Sequence, residues 1–284
     1  MTRRTALAAA GEVLTSAGID SARADAEWLL ASVLGIRRSV LYLEADDALS
    51  PSVARRYEGD VRRRAAREPL QRIIGWEEFY GLRIRITAAV LVPRPETEML
   101  VDWALALLPP PASGRHATVV DVGTGSGCIA CALAARRPDL RVTALDSSLA
   151  ATAVARANVV DLALAPRVHV VAGDLLGAVR RGAADMIVSN PPYLPASLLA
   201  TLTPEVVDHE PRHALDGGLD GLDVIRRVVV ESVSRLAPDG LLVLETAGGG
   251  QTHAVVGLMN EAGFRNVLVH NDLAGIARFV AGRT

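Results

Sequence analysis

The 284-residue chain has no lysine: all 30 of its basic residues are arginine. Together with abundant alanine, this fits the codon bias of a GC-rich genome and carries no mechanism of its own. A preference for bidentate recognition of anions is the weaker reading of the same fact. Cysteine is almost missing. Cys128 and Cys131 are the only two, which excludes a disulfide framework. Long apolar runs are missing as well. In the opening "MTRRTALAAAGEVL" Glu12 interrupts the small residues, and nothing of signal or membrane length follows, so the expectation is a cytoplasmic protein without a membrane partner. Excess charge of either sign is absent too. A net charge of −2 gives no field favouring nucleic acid or anionic lipid. Residues 1–85 carry 14 arginines against 12 acids, and residues 86–284 carry 16 against 20. What remains is a globular composition, 50% hydrophobic and 22% charged, on a chain long enough for more than one domain.

The N-terminal part reads as helical. "SARADAEWLLASVLG" opens on a serine cap, repeats apolar residues at intervals of three and four, and stops at Gly35. "SPSVARRYEGDVRRRAAREPL" starts at Ser50-Pro51, with proline in the first-turn position it favours. Its Arg62, Arg63, Arg64 and Arg67 are expected to form a solvated face. From Gln71 the pattern changes to short β-prone runs broken by Gly75 and Gly81, which predicts a hairpin linker. "PRPETEMLVDWALALL" restarts a helix, with Glu96 and Glu98 near its positive end. After the surface connection "PPPASGRHA", strands are expected at "TVVDVG", "RVTALD", "RVHVVAGD", "DMIVSN", "GLLVLET" and "NVLVH", with helices between them. This is a doubly wound α/β sheet, whose ligands bind beyond the carboxyl ends of the strands at a switch point.

"VVDVGTGSGCIA" sets Gly123, Gly125 and Gly127 between a strand and a helix, where the backbone can turn sharply and approach a ligand. The dinucleotide fingerprint would need a sixth-position glycine where Cys128 stands. Asp121 ahead of the glycines is instead the pattern for S-adenosylmethionine (SAM), whose ammonium suits an acid and whose carboxylate suits backbone N–H groups. Asp146, ending the next strand, can accept ribose hydroxyls. Asp174 can accept from an adenine amino group, with Leu175 as an apolar wall. A lone aspartate after a strand is usually a turn residue. Three at successive strand ends point to a nucleoside.

"VSNPPYLP" offers the carbonyls of Asn190 and Pro191 as acceptors, no N–H from Pro191 or Pro192, and the flat ring of Tyr193. Such a segment suits a planar NH2 group, either an amide or an exocyclic base amine. Accepting both N–H hydrogens would raise density on a resonance-weakened nitrogen and hold it near a sulfonium methyl. The bland alternative is a rigid turn that stops a strand.

With these motifs the chain resembles, over nearly its whole length, the N5-glutamine methyltransferases of peptide chain release factors (the PrmC/HemK type). The markers are "EPLQRIIGWEEFYGL", "LVPRPETE", "VVDVGTGSGCIA", "VSNPPY", "EVVDHEPRHALDGGLDGL" and "DLAGIARFV". The resemblance implies a helical substrate-recognition domain over 1–70, a hairpin linker over 71–92 and a SAM-dependent catalytic domain over 93–284. It implies SAM contacts from Gly123, Thr124, Gly125, Ser126, Gly127, Asp146, Leu175 and Asn190. Asn190, Pro191, Pro192 and Tyr193 would hold the glutamine of a Gly-Gly-Gln loop, and Phe79, Tyr80, Arg94 and Glu96 would line its pocket. S-adenosylhomocysteine would be the product and a release factor the partner, without direct nucleic acid. Two departures stand out: Leu175 replaces a common aromatic, and "ETAGGGQ" replaces Glu-Ile-Gly or Glu-His-Gly after the fifth strand. Gly249-Gly250-Gln251 within it looks like the substrate motif by coincidence.

Cys128 and Cys131 read as packing residues, although C-x-x-C is nominally a redox or metal pair. Pro211 between His209 and His213 argues against a helical metal face, and no metal is expected. The competing functions are methylation of a ribosomal-protein glutamine, adenine-N6 methylation of nucleic acid, and a non-catalytic SAM-fold module. Base extrusion would call for a strongly basic cleft that the composition does not supply.

Overall fold

Caps and stops written into the sequence delimit the N-terminal helices. The computed structural model describes residues 1–109 and 114–284. In it, α1 (Arg3–Ser16) begins at a box in which Thr2 and Thr5 exchange hydrogen bonds. α2 (Ala22–Leu34) closes on Gly35 in the left-handed region, but Ser21 makes no side-chain cap bond. α3 (Val40–Leu43) is a single turn. α4 (Pro51–Ala65) starts where Ser50 accepts from the Val53 N–H, and α5 (Leu70–Ile74) stops at Gly75. Their apolar faces meet around Leu14, Leu29, Leu30, Leu41 and Tyr57, whose hydroxyl donates to the Ala26 carbonyl at 3.1 Å. The compact unit so formed runs from Met1 to Trp76 and includes the distant segment Thr203–His209.

Of the arginines expected on a solvated face, Arg62 and Arg63 are exposed, but Arg64 is not. Tyr57, Val61 and Arg64 are the buried residues of α4, at intervals of four and three along one stripe, so Arg64 is carried inward. Its Nε donates to Asp25 at 2.7 Å and its Nη1 to Glu205 at 3.1 Å. Arg67 donates to Glu205 at 2.9 Å and to the Gly18 carbonyl at 2.7 Å, and Arg63 pairs with Glu68 at 2.6 Å. Arg62 stays exposed.

The second unit comprises Glu77–Leu202 and Glu210–Thr284. The hairpin is shorter than expected: β1 (Trp76–Phe79) and β2 (Leu82–Arg85) turn at Tyr80-Gly81, both at positive φ, because α5 occupies the start of the expected linker. Beyond it come α6 (Pro95–Leu107), β3 (Ala117–Val122), α7 (Cys128–Arg136), β4 (Leu140–Asp146), α8 (Leu149–Asp161), β5 (Val168–Ala172) and β6 (Ala184–Ser189). Of the "PPPASGRHA" connection, residues 110–113 lie outside the described residues. The short α9 (Pro204–Val207) belongs to the first unit. α10 (Asp223–Arg235), β7 (Leu236–Glu245), α11 (Gly250–Glu261), β8 (Arg265–Asn271) and β9 (Ala277–Arg283) complete the chain.

The sheet order is β5-β4-β3-β6-β7-β9-β8. β3 to β7 pair in parallel, and β9 inserts antiparallel between β7 and β8, so the sheet is mixed at one edge. Six of these strands match expected ones. β9 does not, because Phe279, Val280 and Ala281 are all buried and give no alternation to read. α6, α7 and α8 cover one face through Leu100, Ile129, Leu133 and Val154, and α10 and α11 cover the other through Ile225, Val229, Val255 and Met259. Asn158 ties β2 to this body. It accepts from the Arg85 N–H at 2.7 Å and donates to the Ser126 carbonyl at 2.8 Å. Among the described residues no helix is long and apolar enough to cross a membrane.

Removing the Arg64 guanidinium leaves the Asp25 carboxylate, 5% exposed, without its countercharge. Arg64→Ala is expected to destabilise by about 3–5 kcal/mol, whereas Arg62→Ala should stay within about 0.5 kcal/mol. Urea unfolding followed by circular dichroism compares the two, and coincident midpoints would refute the buried pair's importance.

Candidate active site

The site starts from a register. Val122 pairs with Ser189 across β3 and β6, and the Ser189 hydroxyl donates to the Val122 carbonyl at 2.7 Å. Gly123 and Asn190 therefore leave the sheet side by side, at the point where the strand order reverses. A cleft opens there, lined by Gly123, Gly125, Asp146, Leu175, Asn190 and the two prolines, with Asp174, Arg227 and His213 at its margins.

The glycine loop is fixed from beneath. Gly127 has φ +81°, and a Cβ there would meet Ala155 Cβ at 3.2 Å, so the loop packs against α8 as only glycine allows. The side chains of Thr124 and Ser126 are buried and belong to the scaffold beneath the loop. Thr124 Oγ1 donates to Asp121 Oδ2 at 2.5 Å, and the Ala130 N–H reaches the same oxygen at 3.2 Å. Asp121 Oδ1 is buried and has no partner. Burial pushes this carboxyl up to about 7, the Thr124 and Ala130 hydrogen bonds holding it down and the charge of Asp146 adding to the rise. Asp146 accepts from the Gly125 N–H and the Ser148 N–H, both at 2.9 Å, which leaves further lone pairs towards the cleft. Asp174, expected to accept from an adenine amino group, is paired with Arg227 at 2.7 Å. Leu175 takes a left-handed conformation, φ +44°, at the cleft wall.

The proline segment rests on a polar chain that the sequence did not reveal. Asn190 Nδ2 donates to Thr97 Oγ1 at 3.0 Å, and Thr97 Oγ1 donates to Glu245 Oε2 at 2.8 Å. The Tyr193 hydroxyl approaches Glu245 Oε1 at 3.4 Å. Burial pushes Glu245 up to about 7, against the pull of Thr97 and Arg278. The half-buried Tyr193 ring packs against the apolar cluster, with its hydroxyl near Glu245. Its hydroxyl is pushed above the ordinary tyrosine range by that burial.

None of the four expected pocket residues lines the cleft. Phe79 lies in the core at 1% exposure, because it faces inward from β1. Tyr80 holds Asp102 through its hydroxyl and lies beneath the Arg136 guanidinium. Arg94 reaches Glu210 at 3.4 Å, and Glu96 is exposed on the first turn of α6. Thr97 and His213 stand inside the motifs "PRPETE" and "EPRHALDGG"; Thr97 was not singled out, and His213 was weighed only as a metal ligand. Gln251 is occupied at both ends. Its Nε2 donates to the Tyr193 carbonyl and its Oε1 accepts from the Ala247 N–H, each at 2.8 Å.

A sheet of this topology with a ligand cleft at its reversal point defines the methyltransferase class. The catalytic domain of hMettl16, solved with a MAT2A 3'UTR hairpin, superposes with TM-score 0.58 at 17% identity over 82% of each chain. A Pyrococcus furiosus methyltransferase gives TM-score 0.53 at 18% identity, over 72% of this chain and 89% of that one. The PrmC N-terminal domain family matches residues 5–75, and the methyltransferase small domain family matches residues 100–219. The release factor glutamine methyltransferase of Geobacter sulfurreducens is 42% identical over 95% of this chain and 92% of its own. That of Cereibacter sphaeroides is 44% identical over 98% and 97%. The chain belongs to the release factor glutamine methyltransferase family.

Cys128 and Cys131 are buried, and loss of solvation pushes both thiols up to about 12. Iodoacetamide at pH 8 is expected to leave both unlabelled in the folded protein and to label both in urea. Rapid labelling of the native form would show that α7 is not packed as described.

Proposed function

We infer that the protein transfers the methyl group of SAM to the side-chain amide nitrogen (N5) of the glutamine in the Gly-Gly-Gln motif of peptide chain release factors. Family membership supports the reaction and its substrate. The observation that carries the chemistry is the Asn190 amide: Nδ2 is engaged by Thr97, which leaves Oδ1 as an acceptor on the cleft.

The residues present fit the methyl donor. The unpartnered Asp121 Oδ1 suits an ammonium group. Asp146, already holding Gly125, can take ribose hydroxyls, and Leu175 supplies an apolar wall. Gly123 to Gly127 bring backbone close to the ligand, while Thr124 and Ser126 act from beneath. Asp174 would meet an adenine amino group as one half of an ion pair with Arg227. When bound, SAM would supply a methyl carbon whose bond to sulfur breaks, the electron pair staying on sulfur, as the carbon–nitrogen bond forms; the nitrogen, then cationic, would release its proton to solvent water.

The chain's own part is orientation. Asn190 Oδ1 and the Pro191 carbonyl accept the two N–H hydrogens of the glutamine amide. This increases electron density on nitrogen and holds it within about 3–3.5 Å of the carbon it attacks. Pro191 and Pro192 have no N–H to compete for those acceptors. No strong base is required, because the proton leaves after nitrogen has become cationic. Residues 1–70 are assigned to recognition of the factor and residues 93–284 to catalysis, with 71–92 between them. The substrate, a translation factor, places the reaction in the cytoplasm.

Labelled SAM incubated with a purified release factor, followed by peptide mapping, tests this. Label is expected on the Gly-Gly-Gln glutamine and absent when that glutamine is replaced. Label on a ribosomal protein or on adenine instead would overturn the assignment.

Asn190→Ala removes one acceptor, a loss of about 1–3 kcal/mol. It should slow transfer by about tenfold to a hundredfold while calorimetry shows little change in SAM affinity. Wild-type turnover in this variant would remove Asn190 from the chemistry. Asp146→Ala is expected to raise the SAM Kd by about tenfold, on the order of one charged hydrogen bond. An unchanged Kd would mean that the ribose is held elsewhere.

A further inference from the structure

A carboxamide is nearly symmetric in shape, so only its hydrogen-bond partners decide which end faces a substrate. We propose that Glu245, acting through Thr97, is a positioning residue that fixes the Asn190 carboxamide with its oxygen towards the cleft. The proposal rests on the acceptor role inferred above for Asn190.

The Thr97 hydroxyl has one proton. Glu245 Oε2, at 2.8 Å, takes it, so Thr97 Oγ1 can offer only lone pairs to its other neighbour. That neighbour is Asn190 at 3.0 Å, and a lone pair there selects Nδ2 over Oδ1. In its ionised form Glu245 cannot reverse the sequence of donors, because it accepts at both oxygens. Its second oxygen faces the Tyr193 hydroxyl at 3.4 Å. Thr97 and Glu245 are 2% and 1% exposed, so bulk water does not reach them. Arg278 favours the carboxylate form, and Glu96 and the loss of solvation oppose it. The relay joins the first turn of α6, the end of β7 and the segment after β6, three elements far apart in sequence. If the amide turned over, an N–H would face the N–H groups of the substrate and the cleft would lose the acceptor it is built to supply.

Thr97→Val keeps the shape and removes the hydroxyl, whereas Thr97→Ser keeps the relay. Thr97→Val is expected to lower kcat by about tenfold or more, with the SAM Kd and the KM for release factor little changed, and Thr97→Ser should recover most of the rate. Wild-type kcat in Thr97→Val, or equal damage in Thr97→Ser, overturns the proposal. Should Thr97→Val not fold, Glu245→Gln serves in its place: its amide can present either end to Thr97, so kcat should fall several-fold, roughly the effect of one neutral hydrogen bond, and an unchanged kcat overturns the relay. Asn190→Ala, measured alongside, separates the two levels. Full activity there would sink the acceptor role of Asn190 itself, whereas a slow Asn190→Ala beside an unimpaired Thr97→Val would sink only the relay.

Discussion

The parallel pairing of β3 with β6 is the constraint on which the site depends. Its register places Val122 opposite Ser189, and the serine hydroxyl adds a cross-strand bond at 2.7 Å at the last pair. A slip of one residue would send alternate side chains to opposite faces and carry Asn190 away from the glycine loop. Because both strands are buried on both faces, the cores above and below resist such a slip. The loop after β3 and the proline segment after β6 thus come together without any direct bond between them.

Around that junction the protein keeps an unusual number of polar groups out of water. Asp121, Thr97 and Glu245 are all nearly inaccessible, and each carboxyl is displaced upward by burial. Unpaired groups in such surroundings are costly, so their hydrogen bonds are directional commitments as much as stabilising contacts. Thr124 and Ala130 occupy one oxygen of Asp121 and leave the other open. Thr97 and Tyr193 occupy the two oxygens of Glu245.

Local chemistry made much of this legible. Proline and glycine punctuation, apolar periodicity and acids at strand ends give five parallel strands, most helices and a cleft at the strand-order reversal. Pairwise geometry was not legible. β9 lacks alternation because both its faces are covered, and its place between β7 and β8 is a matter of pairing alone. Phe79 looked like a ligand-facing aromatic but is drawn inward by the area it can bury. Arg64 read as a surface charge until Asp25 and Glu205, distant in sequence, supplied its partners. Thr97, although inside "PRPETE", and Glu245 give no sign of their pairing in the sequence, since a threonine in a first turn and a glutamate ending a strand are unremarkable until they meet.

The helical unit has an uneven boundary. It takes in Thr203–His209, a stretch that lies between the proline segment and His213 along the chain. Glu205 from that stretch is the shared acid for Arg64 and Arg67. A fragment cut after residue 76 would therefore keep every helix from α1 to α5 and yet lose an anion from its interior. Domain dissection by sequence alone would yield a piece in which Arg64 keeps only Asp25 and Arg67 has lost its carboxylate, and its stability would misrepresent the unit as it exists in the whole molecule.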